Sequence, residues 1–452
     1  MNLKDKNVLV VGMAKSGIPT VKVLSSLGAN ITVNDIKTEE NLKNILDEIA
    51  HLCDDIVLGV HPERIEKYDL IVLSPGVPTD LVFLKKAKKE NIEIIGELEL
   101  AYRLSKGKYL AITGTNGKTT TTALVGEIFK NASLKTFIVG NIGLAAISKA
   151  LETTDDTFLI TEVSSFQLET IEKFKPRISA ILNITPDHLN RHKTMENYIE
   201  AKANIFMNQE ENDLVILNYD NDITRNLASK ANCRVIFFSR KEILKEGVYV
   251  QGGNIIVKDN DDIDIICKTN DIYIAGNHNL ENALAAVAFA YYSGINIDII
   301  KYTLNSFKGI EHRTEFVCEI DGIKFYNDSK GTNPDASIKA VEGLKGPLVL
   351  IAGGMDKGGL FDEFVASFNN KVRALILLGE TAYKIKETAE KYGFKNIYIV
   401  KNMEEAVNVA YKNAKKNDTI LLSPACASWD MYESYEVRGR HFKDCVGKIR
   451  RT

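Results

Sequence analysis

The sequence predicts an α/β protein built from mostly parallel sheets in three consecutive units, and three observations lead there. Short apolar runs of β type alternate with helical segments along the chain. Glycine-containing turns sit at the carboxyl ends of several of these runs. The length, 452 residues, suits about three domains of ordinary size.

The runs come in order. NVLVVG (7–12), NITVND (30–35), LIVLSPG (70–76) and IEII (92–95) form the first group, and YLAITG (109–114), TFLITE (157–162), ISAILNIT (178–185) and LVILN (214–218) the second. A polar, Asp/Asn-rich stretch at 246–271 interrupts the rhythm. The pattern resumes with a helix near 279–293 and then GIKFYNDS, PLVLIAGG, RALILLG, NIYIV and DTILLSPA. Breaks in the strand rhythm put domain boundaries near 97 and 310, giving units 1–97, 98–309 and 310–452.

Composition narrows the function. Apolar residues at 45% and charged residues at 26% are those of ordinary soluble domains, which excludes disorder and coiled coil as main themes. With 57 basic and 60 acidic side chains there is no electrostatic footprint for nucleic acid or an anionic membrane, so small molecules are the expected partners. Six scattered cysteines with no CxxC pair suggest neither disulfides nor a zinc site, and fit a reducing cytosol. The N-terminus runs from charged residues into a β-type segment without an apolar signal region, and no stretch has the length of a membrane span.

The strongest motif is Gly114-Thr115-Asn116-Gly117-Lys118-Thr119-Thr120, between the strand YLAIT and a helical run. A strand, a glycine turn and a helix N-terminus form a phosphate cradle, in which Lys118 reaches terminal phosphates and Thr119 can ligate Mg²⁺. Ile112 stands where the general form of the motif has its first glycine. Glu162, at the carboxyl end of TFLITE, is the first candidate for a second metal ligand, or else a solvated strand-end glutamate. Asp187 and His188 follow a strand end in a loop, where they are either part of a site or a turn. In the helix TMENYIEAKANIFMN the apolar stripe is Met195, Tyr198, Ile199 and Phe206, and Lys202 falls on it. That lysine must snorkel out or be buried with a partner, and burial would leave a nucleophilic neutral amine. Gly12 to Gly17 with Asp35 is a weak dinucleotide-like fingerprint in which Ala14 replaces the second glycine, and Ser74-Pro75-Gly76 adds a third strand-end turn at the same edge.

ITGTNGKTTTT, GNIG, EVSSFQLE, NITPDHLNRH with EAKANIF, GNHNLENALAA, EHRTE, NDSKGTNPDA, IAGGMDKG and LLSPACASWDMYESYEVRGRHF occur in this order along nearly the whole chain. Together they resemble the ATP-dependent Mur ligase family, and NDSKGTN and SPACASWD resemble its D-glutamate-adding branch. The resemblance implies a Rossmann-like N-terminal domain that binds UDP, a central P-loop ATPase, and a Rossmann-like C-terminal domain that closes over ATP and binds the amino acid. It implies UDP-N-acetylmuramoyl-L-alanine, D-glutamate and ATP as reactants, two Mg²⁺ ions, a monomer, and cytoplasmic peptidoglycan precursor synthesis through an acyl phosphate. By position, Ser16, Asp35, Ser74 and Gly76 would serve the UDP part, with Lys15 at a variable position. Lys118 would bind ATP phosphates, Thr119 and Glu162 would ligate Mg²⁺, and Asn141 and His188 would serve the reacting carboxylate and second metal. Lys202 matches the family's carbamylated lysine. Asn277, Arg313 and Asp328 match nucleotide-binding positions, while Lys330, Thr332, Lys357, Ser428 and Tyr435 match the D-glutamate pocket. Rival readings are a folylpolyglutamate synthase, a nicotinamide oxidoreductase built on Gly12 to Asp35, and a non-catalytic nucleotide-sensing module.

Overall fold

A computed structural model describes residues 1–13, 16–274, 276–344, 346–356, 358 and 360–449. Three sheets organise the chain. The first contains β1 (Asn7–Val11), β2 (Asn30–Asp35), β3 (Asp55–Leu58), β4 (Leu70–Leu73) and β5 (Glu93–Gly96), all parallel in the order β3-β2-β1-β4-β5. Its central strands are apolar at successive positions because both faces are covered. Val8 and Val10 pack on one side with Val21 and Leu24, while Leu9 and Val11 pack on the other with Phe83 and Leu84. Strand order reverses between β1 and β4, which opens a crevice at their carboxyl ends.

The second sheet has nine strands: β6 (Lys108–Thr113), β7 (Thr136–Gly140), β8 (Phe158–Glu162), β9 (Ile178–Ile181), β10 (Leu214–Asn218), β11 (Arg234–Ser239), β12 (Gly247–Gln251), β13 (Asn254–Asp259) and β14 (Asp262–Lys268). Their order is β14-β13-β12-β11-β10-β9-β6-β8-β7. The stretch 246–271, expected as an interruption, is instead a three-strand edge whose last two pairings are antiparallel. Asp, Asn and Lys interrupt the apolar residues of these strands, and Ile263 and Ile265 of the outermost one are exposed, so the strand signal is lost. The run ISAILNIT is strand only over Ile178–Ile181, and Asn183 lies just beyond its end.

The third sheet contains β15 (Glu315–Ile320), β16 (Ile323–Asn327), β17 (Leu348–Ala352), β18 (Val372–Leu377), β19 (Ile397–Ile399) and β20 (Thr419–Leu422), in the order β15-β16-β20-β17-β18-β19. Only the β15–β16 pair is antiparallel among these strands.

Chain contacts divide the protein into two compact units, Met1–Ile272 with Leu280–Asn305 and Tyr273–Asn279 with Ser306–Thr452. The first two sheets share one unit because the helix Glu97–Leu104, which follows β5 directly, is bonded into the second. The fully buried Glu99 carboxylate accepts the backbone N–H groups of Glu172, Lys173 and Phe174, each at 2.9 Å, and the Arg103 Nε–H at 2.6 Å. Glu97, also buried, accepts from Ile147 N at 2.7 Å, and burial pushes its carboxyl up to about 7. Among the described residues no helix is long and apolar enough to cross a membrane.

Candidate active site

The turn after β6 leads into the helix Lys118–Asn131, whose first amides face the loop. Gly117 adopts φ +85°, a conformation that favours glycine, and a Cβ there would press on the Asn282 side chain. Asn183 clamps the loop. Its Oδ1 accepts from Asn116 N at 2.8 Å, its Nδ2 donates to Asn116 O at 3.1 Å, and its carbonyl accepts from Thr115 N at 2.9 Å. Lys118 Nζ rests over the loop, donating to the carbonyls of Gly114 and Thr115 at 2.8 and 2.9 Å. Thr119 and Thr120 are buried at the helix start, and Thr121 Oγ1 donates to Asn282 Oδ1.

Glu162 ends β8, which pairs directly with β6. It is 1% exposed, and while Oε1 accepts from Asn141 Nδ2 at 2.7 Å, Oε2 is buried with no hydrogen-bond partner. A buried carboxylate oxygen left this way costs about 1–3 kcal/mol unless something positive meets it. The open Glu162 oxygen therefore fits a divalent cation that takes hard oxygen ligands.

Lys202 lies on the helix Met195–Ala203 and does not snorkel: it is 2% exposed. Its Nζ bonds the Gly114 carbonyl at 3.0 Å and Thr113 Oγ1 at 3.4 Å, and sits 4.8 Å from the centre of the Tyr198 ring. Burial, and then the nearby Lys118, hold this amine well below the usual lysine range, while Asp187 and Glu162 pull the other way. Phe206, expected on the same helical stripe, lies in the 3₁₀ turn that follows. His188 is unlike these. It adopts φ +53° at the start of a short helix, its ring is half exposed, and Nε2 is 3.5 Å from Asp187 Oδ2.

At the first sheet the carboxyl ends of β1, β2 and β4 bring Ser16, Asp35 and Ser74 together. Ser16 Oγ donates to Ser74 Oγ at 3.1 Å, and Ser74 Oγ donates to Gly12 O at 2.7 Å. Both Asp35 oxygens accept backbone amides, from Met13 at 2.8 Å and Lys37 at 3.0 Å, so this carboxylate shapes the turns after β1 and β2. Gly76 follows Ser74 in the β4 turn. Ala14, Lys15 and Lys357 lie outside the described residues.

In the second unit Asn277 opens a helix, and Arg313 is close enough to Asp328 to act on it electrostatically. Asp328 is buried, with Oδ1 accepting from Thr314 N at 3.0 Å and Oδ2 from Ser423 Oγ at 2.7 Å. Lys330 lies 5.9 Å from the Tyr435 ring centre, Thr332 N donates to Lys330 O, and the buried Ser428 accepts from Tyr432 N through its carbonyl. Sequence reasoning missed Arg438. This buried guanidinium donates to Ser329 O, Cys426 O and Ala427 O, tying the loops that carry Lys330 and Ser428. Its only sequence signal is an arginine on the inward side of an amphipathic helix. Among the described residues one cluster has metal-ligand spacing, Glu311, His312 and Glu315, but Lys443 spans its two carboxylates.

Asp328 also yields a stability prediction. Burial pushes its carboxyl up to about 6, so between about pH 4 and that value the folded chain keeps a proton the unfolded chain has released, and stability falls as pH rises. Asp328→Asn is expected to melt near the wild-type temperature at pH 4 and above it at pH 7, as read by thermal unfolding across pH.

Residues 6–96 match the Mur ligase MurD-like N-terminal domain, 112–290 the Mur ligase middle domain, and 312–426 the Mur ligase glutamate ligase domain. Over 455 residues, all of both chains, the protein is 56% identical to the UDP-N-acetylmuramoylalanine--D-glutamate ligase of Alkaliphilus oremlandii. The chain belongs to the Mur ligase family. A second relative of the same name, from Clostridioides difficile, is 54% identical over 452 residues and the full length of both chains. Among solved structures, UDP-N-acetylmuramate-alanine ligase MurC from Thermotoga maritima shares the fold of this Mur ligase, with a TM-score of 0.58 at 19% identity over 98% of this chain and 99% of that one. As a Mur ligase with a MurD-like N-terminal domain, the chain is neither a nicotinamide oxidoreductase nor a folylpolyglutamate synthase.

Proposed function

We propose that the protein is an ATP-dependent ligase that joins D-glutamate to UDP-N-acetylmuramoyl-L-alanine in cytoplasmic peptidoglycan precursor synthesis, working as a monomer with domains 1–97, 98–309 and 310–452. The full-length identity to relatives named for that reaction carries this reading. The geometry supports it: a phosphate loop, a buried carboxylate with an unpartnered oxygen and a buried lysine lie at the carboxyl edge of one sheet.

A free carboxylate is too poor an electrophile to form an amide with an amine in water. The substrate carboxylate therefore attacks the γ-phosphorus of ATP, the bond to the β-phosphate oxygen breaks, and an acyl phosphate and ADP result. Lys118 exchanges its carbonyl partners for phosphate oxygens, and the amides at the start of its helix face the developing charge. Magnesium, when bound, supplies positive charge to those oxygens. Asn141 orients Glu162 from one side and leaves the other oxygen open. The D-glutamate amine, positioned from Lys330, Thr332, Lys357, Ser428 and Tyr435, then attacks the acyl carbon; phosphate leaves and the nitrogen gives up a proton. Asn277, Arg313 and Asp328 serve the nucleotide.

Lys202 completes the site after reacting with CO₂: the neutral amine bonds to carbon, the nitrogen loses its proton, and the product is a carbamate anion. With Glu162, His188 and Thr119 this anion gives the site oxygen and nitrogen donors for two ions. A buried amine held below its usual range supports that step.

The test is phosphate release by the pure protein with ATP, Mg²⁺ and UDP-N-acetylmuramoyl-L-alanine across D- and L-amino acids. Release is expected only when both the nucleotide sugar and D-glutamate are present. Equal release with D-glutamate omitted, or none with the full mixture, would sink the reading.

A further inference from the structure

The nucleotide sugar of the proposed reaction must reach from the Ser74 turn of the first sheet to the phosphate loop of the second, so something must fix the spacing between the two. Arg191, on the short helix Leu189–His192, touches the Ser74 turn on one side and the loop after Glu162 on the other. Its Nη1 donates to Gly76 O at 3.4 Å and its Nη2 to Val77 O at 3.1 Å, in the turn that carries Ser74. The same Nη2 donates to Glu169 Oε2 at 2.6 Å, and the guanidinium lies 4.7 Å from the centre of the Phe166 ring. Glu169 continues the chain: its Oε1 is 3.3 Å from His192 Nδ1, and His192 Nε2 is 2.9 Å from the buried Ser165 Oγ. Ser165 stands three residues after Glu162, and Phe166 packs edge-on to His188 at 4.9 Å.

We propose that Arg191 is a positioning residue that sets the distance between the nucleotide end and the reacting carboxylate end of the substrate. The inference rests on the ligase reading above. A planar fork with five fixed donors can serve two carbonyls and a carboxylate at once, whereas a lysine offers a single point of charge. Both arginine and glutamate are mostly buried, at 18% exposure each, so the contact is little weakened by solvent. UDP alone touches only one side of this junction. The full substrate touches both.

The test compares the full-length wild type with Arg191→Ala and Arg191→Lys. For Arg191→Ala the KM for UDP-N-acetylmuramoyl-L-alanine is expected to rise by about tenfold or more, with the KM for ATP and the Kd for UDP within about twofold of wild type. Millimolar guanidinium should recover part of the loss in Arg191→Ala and none in Arg191→Lys, which stays impaired. A role in folding alone would not separate UDP from the full substrate. If Arg191→Ala does not fold, Arg191→Lys, which keeps the charge and most of the stem, reads the same split. Overturning results are a full-substrate KM within about twofold of wild type in the variant that folds, or UDP affinity lost in step with it. Wild type that fails to turn over the nucleotide sugar would instead count against the ligase reading.

Discussion

Lys118→Ala is expected to lower kcat by at least about a hundredfold, the size seen when one strong transition-state stabiliser is lost. The ammonium already sits at the mouth of the loop on the Gly114 and Thr115 carbonyls, so in the wild type it needs only a local swing to meet a transferring phosphoryl group. Alanine gives up two bonds to loop carbonyls but leaves the Asn183 clamp on the Thr115 and Asn116 backbone in place. Raising Mg²⁺ should not repair this variant. Glu162→Ala should behave differently, regaining part of its activity at high Mg²⁺ because a holder of the ion has gone while the ammonium remains. A Mg²⁺ titration of both variants, scored by acyl-phosphate formation, separates the roles; normal turnover by Lys118→Ala would mean the central sheet is not the ATPase.

Lys202→Ala is expected to lose most of its activity and to regain part with a short-chain carboxylic acid. The truncation opens a space beside Tyr198 and the Gly114 carbonyl, into which formate or acetate can bring the oxygen atoms a carbamate would have supplied. Lys202→Arg should not be rescued, since its guanidinium fills the space and keeps a positive charge next to Lys118. In the wild type, activity should rise with added bicarbonate and fall as pH drops, because only the neutral amine adds CO₂. Steady-state rates of the three proteins with and without acetate are the measurement; wild-type turnover in the unsupplemented alanine variant would remove Lys202 from the mechanism.

Strands buried on both faces announce themselves as unbroken apolar runs, so VLVV, LIVL and LVILN could be read directly. The edge strand β14 and its neighbour β13 could not, because acids, an amide and lysines break up the apolar residues of Asn254–Asp259 and Asp262–Lys268. In the site, Lys118 and Thr119 were legible because a phosphate loop is local in sequence. Lys202 was legible as a conflict between its charge and its stripe, although the side it would take was not. Asn183 and Arg191 gave no local sign: their partners lie 67 and 115 residues away, at Asn116 and Gly76, and only the packed sheets bring those backbone groups within reach.

The helix Glu97–Leu104 has a consequence for how the chain folds as it is made. All five strands of the first sheet have been synthesised by residue 96, so that sheet can close early on a growing chain. The next helix packs Leu98, Leu100 and Ala101 into the same core as that sheet, but its two buried acids have their partners further along. Glu97 accepts from the amide of Ile147, and Glu99 from three amides that end at Phe174; until those residues emerge, burying either carboxylate leaves it without these bonds, at a cost that favours keeping it in water. The first domain is therefore complete in its strands but not in its attachment until the chain has grown from Gly96 to Phe174. The junction that later spaces the two substrate ends is among the last parts of this region to form, because Arg191 follows still further along.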